Sequence, residues 1–249
     1  MQVAAARDNI KVMMNQTDQI NQDVLKLWES TFDNNADVLM PLICPPIRKV
    51  PLLFVGLNPS FSQKGFRIIL KDTPYSHIDP AKFFHWRNRK RFDVQKAQAL
   101  ETLARSKYPF FAKFKDIAQH VAVDWEHVDL FFCRETSQNK CKEKIYGANG
   151  LNEFGRRQFE LSKTIIFQVQ PKVIVVANAF AARLFKKEFA AKFDDNRGYH
   201  IVQLDGQVVP TFLASMLTGQ RAMDVYSYQR LQWHIRKAFE DVKNYGKAA

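Results

Sequence analysis

Pro171-Lys-Val-Ile-Val-Val-Ala-Asn-Ala-Phe-Ala-Ala-Arg-Leu184 is the stretch on which the fold turns. From Lys172 to Ala177 it is β-branched and apolar, as a strand buried on both faces requires. Pro171 closes the element before it, and Asn178 has the short polar side chain that caps a helix, here expected over 179–192. Upstream, Leu151, Phe154, Leu161, Ile165 and Val169 fall on one face of a helix over 151–170. Downstream, Leu204-Asp-Gly-Gln207 between two apolar runs marks a hairpin. Its second arm, 207–213, contains Pro210, a residue that belongs at an edge or bulge. A last helix over 220–242 turns Leu231, Ile235, Phe239 and Val242 inward. Toward the other end, Val50–Val55 before Gly56 and Val128–Phe132 read as buried strands, and 18–32, 93–105 and 110–122 as helices. Residues 61–92 are irregular, basic and aromatic, which suggests a functional insertion or a run of short helices.

Strands alternating with helices predict an α/β fold. The expected form is a three-layer αβα arrangement with a mostly parallel central sheet of about four strands and an added hairpin strand. Residues 17–249 read as a single domain, and the Asn/Gln-rich residues 1–16 as a loosely attached segment. The hydrophobic share of 46% in 249 residues excludes wholesale disorder, and 9 Gly with 10 Pro exclude a collagen-like or linker-dominated chain. Lys and Arg number 37 against 25 Asp and Glu, a net charge of +12 that calls for an anionic partner, with nucleic acid ahead of a membrane surface. No secretory signal is visible, and the longest apolar run, 173–182, is interrupted by Asn178 and too short to span a bilayer. A cytoplasmic, monomeric protein without a membrane partner is expected. Cys44, Cys133 and Cys141 show no C-x-x-C spacing, and the 6 His show no ligand-spaced pair. Neither a metal nor a cofactor is expected, and the glycine-rich signatures of dinucleotide and triphosphate sites do not occur.

Ligands of open α/β sheets bind beyond the carboxyl ends of the strands, and two distinctive loops follow such ends. In Gly56-Leu57-Asn58-Pro59-Ser60, Gly56 allows a tight exit and Pro59 stiffens the turn. Asn58 is then placed to position a water or read a base edge, or else it bonds its own turn backbone. In Ala214-Ser215-Met216-Leu217-Thr218-Gly219-Gln220-Arg221, Thr218 is a candidate helix cap with phosphate-binding amides after it and Arg221 nearby. Leu217 is either an apolar wedge at the rim or ordinary core.

Together these loops resemble the uracil-DNA glycosylase superfamily, and most closely its mismatch-specific branch. That branch carries Gly-Ile-Asn-Pro-Gly after the first strand and Asn-Pro-Ser-Gly-Leu-Ser after the last. Residues 56–60 match the first pattern, residues 213–218 match the second at Ser215, Leu217 and Thr218, and 171–184 looks like the family's third strand and helix. The resemblance implies a uracil-DNA glycosylase-like fold and a monofunctional DNA N-glycosylase, a hydrolase of base-excision repair acting on a flipped-out damaged or mismatched base. It implies that Asn58 orients the attacking water and that Gly56, Leu57, Pro59, Ser60 and Phe61 form the base pocket. Phe66, Phe83 and Phe84 compete with Phe61 for the stacking role. Ser215, Thr218, Gly219 and Arg221 would grip phosphate while Leu217 fills the vacated stack. Leu213 stands where the family has His or Asn, which removes one donor to the leaving base and raises the alternative of an inactive nucleic-acid-binding member. Independently of the resemblance, Lys82-Phe-Phe-His-Trp-Arg-Asn-Arg-Lys-Arg-Phe92 mixes aromatics with cations, including Arg87, Arg89, Lys90 and Arg91. It suits DNA, duplex or single-stranded, as well as it suits a solvated basic helix whose aromatics dock on the core.

Overall fold

A computed structural model describes the backbone of residues 2–245 and the side chains of residues 16–242. In chain order it contains α1 (Gln2–Thr31), β1 (Leu52–Gly56), α2 (Gln63–Leu70), α3 (Pro80–Phe83), a 3₁₀ helix (Trp86–Arg91), α4 (Val94–Lys107), α5 (Ala112–His120) and β2 (Trp125–Asp129). There follow α6 (Gln138–Ile145), the short hairpin β3 (Tyr146–Gly147) and β4 (Gly150–Leu151), α7 (Glu153–Val169), β5 (Val173–Ala177) and α8 (Ala179–Glu188). The chain then runs through β6 (Lys192–Asp194), β7 (Tyr199–Leu204), β8 (Gln207–Ala214) and α9 (Val225–Tyr245). It divides into two compact units, one of Arg48–Leu57, Pro109–Leu130 and Lys163–Ala249, the other of Met1–Ile47, Asn58–Tyr108 and Phe131–Ser162.

The first unit holds a mixed α/β sheet in the order β2-β1-β5-β8-β7-β6. The four strands β2, β1, β5 and β8 are parallel, and β7 and β6 continue antiparallel. Every residue of β1 and β5 is buried. Leu52, Phe54, Val173 and Val175 pack with Phe114 and Ile117 of α5 and with Tyr228, Ile235 and Phe239 of α9. Leu53, Val55, Ile174 and Val176, which alternate with them along the strands, are equally buried on the opposite face, as a layered arrangement requires.

The sheet is larger than the expected four strands with one added hairpin strand: it has six strands, of which β7 and β6 are antiparallel additions. Ala190, in the left-handed region at φ +48°, stops α8, and Ala191 donates back to Lys186 (3.0 Å), so 192–194 is free to form the edge strand. The hairpin forms where expected, with Asp205 (φ +48°) and Gly206 (φ +78°) as its two-residue turn. Pro210 lies on a central strand rather than an edge. It faces Ile201 on β7, and pairing with β5 begins only at Thr211, so its missing N–H falls outside the parallel ladder.

In the second unit α1 starts at Gln2, ahead of the expected Asp18. Its Trp28 is buried edge-on against Phe154, 5.0 Å between centroids. The irregular segment after it is held by paired backbone groups: Met40 donates to Phe84 (2.7 Å), Leu42 to Phe132 (2.8 Å) and Trp86 to Val38 (3.0 Å). Residues 61–92 resolve into α2, α3 and the 3₁₀ turn, three short capped pieces.

Gly56 ends β1 where no side chain fits. A methyl group there would run into Asp129 Oδ1 and lie 2.8 Å from His127 Nε2. Both neighbours are buried on β2, and Phe110, Phe111 and Phe114 surround the imidazole. Space rather than a left-handed backbone therefore demands glycine. We expect Gly56→Ala to lower the unfolding free energy by about 1–3 kcal/mol, the usual overpacking range. Urea denaturation checks this, and an unchanged midpoint would contradict the close approach.

Candidate functional site

Asn58 holds two segments of the second unit together. Its Nδ2 donates to the carbonyls of Glu135 (2.7 Å), Cys133 (3.1 Å) and its own neighbour Pro59 (3.2 Å), while the Glu135 amide donates to the Pro59 carbonyl (3.1 Å). The carboxamide thus bonds its own turn and also fixes the loop that follows β2. Its Oδ1 accepts no hydrogen bond from the described residues. Of the other residues of this motif, Gly56 and Leu57 are buried in the sheet unit, Pro59 is half-buried and Ser60 exposed.

Beside the Asn58 clamp is a cavity of about 360 Å³. Phe61 forms one side, with its ring 5.5 Å from Phe66 and 5.7 Å from Phe84. His85, at the start of the 3₁₀ turn, and Asp37 to Leu39 line it further. The rest of the wall is Arg134 to Ser137 with Lys140 and Lys144 of α6. Asn58 is not in the wall; it positions Glu135, which is. The competing rings lie elsewhere: Phe66 and Phe84 are core, and Phe83 packs between Phe84 and Phe92.

The charges around the cavity are arranged in pairs. Arg134, 4% exposed, donates to Glu101 and to the Met40 carbonyl (3.2 Å), and its guanidinium lies 4.2 Å from the Phe84 ring centroid. Lys144 pairs with Glu135, and His85 Nε2 lies 3.1 Å from Asp37. Lys140 is exposed and has no ion-pair partner among the described residues. Thr136 donates its hydroxyl to the Phe61 carbonyl (2.9 Å), and Ser137 caps α6. Among the described residues no three His, Cys, Asp or Glu side chains converge as metal ligands would.

In 82–92 the aromatics dock inward while the cations face out. Trp86 is 1% exposed and donates to the Asp33 carbonyl (2.9 Å), and Arg89 stacks 5.0 Å over its ring. Arg87 donates to the Asn35 carbonyl (3.0 Å). Lys90 and Arg91 are exposed and unpaired among the described residues, so this face can still take phosphate.

The second motif differs from its expected form. Ser215 and Arg221 are exposed, but Leu217 is 4% exposed and belongs to the core with Tyr199 and Phe212. Residues 216–223 form a turn closed by Ala222 donating to Gly219 (3.1 Å) and Met223 to Met216 (2.9 Å), with Gly219 at φ +87°. The helix therefore starts at Val225, and its cap is Asp224 rather than Thr218. The Asp224 carboxylate accepts from the amides of Tyr226 and Ser227 (2.9 Å each) and from the Ser227 hydroxyl (2.6 Å). Those donors hold its carboxyl below the usual range. No helix starts at Thr218 to turn amides toward phosphate, and the amides at the observed helix start, Tyr226 and Ser227, are met by the protein's own carboxylate.

Compared with models of protein families and with curated protein sequences, the chain matches none. The site rests on its own geometry. Glu135, Lys144, His85 and Arg134 line the cavity without having been singled out in the sequence. His85 falls within the basic aromatic segment 82–92, whereas no pattern in the sequence singles out Arg134, Glu135 or Lys144.

Two outcomes test this geometry. Arg134→Ala would leave Glu101 buried and unpaired, and we expect a loss of about 3–5 kcal/mol in urea unfolding. A loss under 1 kcal/mol would contradict the buried pair. Asp224→Ala should speed hydrogen exchange of the Tyr226 and Ser227 amides. Acidification of the native protein should lower the protection of the same amides relative to their intrinsic exchange: the carboxyl is depressed in the fold, so its contribution is present above the unfolded value and lost as pH falls through the folded one. Exchange rates that ignore both changes would contradict the cap.

Proposed function

We propose that the chain is a DNA N-glycosylase-like hydrolase whose base pocket is the cavity beside Phe61. One observation carries the reading. Two segments that the sequence marks separately for nucleic-acid chemistry contribute to that one cavity, the turn after β1 through Phe61 and the basic aromatic segment through His85, and the cations Lys140 and Lys144 of α6 complete its wall. Its volume is near the lower end of the range for small-ligand pockets, about 300–1,000 Å³, which suits a single base.

In this reading a nucleotide turns out of its stack, with the phosphates on Lys90, Arg91 and the neighbouring cations, and the base lies against Phe61. Glu135, paired with Lys144, takes a proton from water as the water oxygen bonds to the sugar C1′ and the bond to the base nitrogen breaks. Asn58 positions Glu135 for that step through its hydrogen bond to the Glu135 carbonyl. The electron pair leaving with the base is met by Lys140 and by the Ser137 hydroxyl, a substitute for the donor that Leu213 cannot provide. Leu217 serves as core.

A second reading is nucleic-acid binding without base release. It is favoured by the Asn58 amide, whose nitrogen is committed to three carbonyls, and by Leu213.

Purified protein should release a base from a set of oligonucleotides carrying uracil, hypoxanthine, a thymine mismatch or an alkylated base. Glu135→Gln should slow release by about 10²–10⁴-fold, the usual range for a general base, and Asn58→Ala, which frees the Glu135 backbone, should slow it as well. Salt-dependent binding with no abasic product would select the second reading. Lys90→Ala/Arg91→Ala should lower the slope of log K against log salt by about 2 in either case, with no change in the unfolding midpoint. An unaltered slope would remove this face from the interface.

A further inference from the structure

We infer that Cys133 and Cys141 are a redox-active dithiol, a modification site that a hydroperoxide converts to an intramolecular disulfide. The two sulfurs lie 3.6 Å apart, Cys133 in the irregular segment after β2 and Cys141 in the second turn of α6. A disulfide needs about 2.05 Å, so the sulfurs must close by roughly 1.5 Å. Because Cys133 lies outside any helix or strand, this closure does not require a helix to unwind.

The pair is also positioned to matter. Cys133 lends its carbonyl to Asn58 and precedes Arg134, while Cys141 follows Lys140, so a bond between the sulfurs would join two parts of the cavity wall. A contact between two small apolar residues accounts for their burial, but not for sulfur facing sulfur at hydrogen-bond distance. The hydrogen bond to Cys141, together with burial, pushes the Cys133 thiol well above its ordinary value, with Lys144 acting in the opposite direction. The reduced pair is therefore protonated at rest, and the sulfur that reacts gives up its proton as it attacks, the proton ending in the water released from the peroxide.

Burial selects the oxidant. Cys133 is 4% exposed and Cys141 0%, which admits a hydroperoxide more readily than a bulky disulfide. One sulfur attacks the peroxide, the O–O bond breaks, and a sulfenic acid and water form. The second sulfur then displaces hydroxide, which leaves as water. Two thiols and one hydrogen peroxide give one disulfide and two waters.

The test counts thiols and does not depend on any nucleic-acid activity. Reduced full-length protein, unfolded in denaturant, should titrate three thiols, one for each cysteine in the chain. After treatment of the folded protein with excess hydrogen peroxide, one should remain, and peptide mapping should join Cys133 to Cys141 and leave Cys44 free. Cys133→Ser and Cys141→Ser should each retain two thiols or accumulate oxyacids, without a crosslink. Wild-type protein carrying all three thiols after oxidation, crosslinked through Cys44 or between chains, or modified faster by glutathione disulfide than by hydrogen peroxide would overturn the assignment. The wild-type readings decide the matter even if the serine variants fold poorly.

Discussion

A guanidinium with almost no exposed surface must be neutralised and hydrogen-bonded where it lies, and that requirement organises the cavity-bearing unit. Arg134 meets it with Glu101 of α4, the carbonyls of Met40 and Pro41, and the face of Phe84. One side chain therefore fixes a helix, the irregular segment after α1 and the aromatic layer next to Phe61. Asn58 fixes the adjoining residues by a different means, through backbone carbonyls. Loop residues gain fixed positions from these two anchors without belonging to a sheet, as a pocket built from loops requires.

The charge pattern follows from the same constraint. Cations needed for packing are paired: Arg134 with Glu101 and Lys144 with Glu135. Lys90, Arg91 and Lys140 are among the cations without partners among the described residues, and all three are exposed. A net charge of +12 is thus divided between structural and available cations, and only the latter can release counterions on binding phosphate. No helix among the described residues is long and apolar enough to cross a membrane.

Apolar periodicity made most of the sheet unit legible: β5, the turn at Asp205-Gly206, α7 and the inward face of α9 stand where the pattern puts them. The pattern misplaced β2 by a few residues because Glu126, His127 and Asp129 look polar yet are buried. Glu126 is satisfied by Arg48 at 2.6 Å, a partner that strand patterning does not reveal. It missed α6, whose buried residues are only Cys141 and Ile145, one turn apart in an otherwise polar octet. That helix carries much of the cavity wall and half of the thiol pair. Asn58 was visible as a constrained amide that bonds its own turn; its other two carbonyl partners are more than seventy residues away, and only the fold could supply them. Leu217 shows the reverse, since its sequence leaves rim and core open, the family resemblance implies a side chain that fills a base stack, and its neighbours in space are core.

The central claim is that the cavity beside Phe61 receives a nucleobase. Titrating isotopically labelled protein with a short lesion-bearing oligonucleotide, and following resonances by NMR, tests it most directly. The account predicts that the largest shifts fall on Phe61, His85, Glu135 and Lys140, with intermolecular contacts from the Phe61 ring to the lesion base. Shifts confined to other surfaces, with the Phe61 ring unperturbed at saturation, would contradict it.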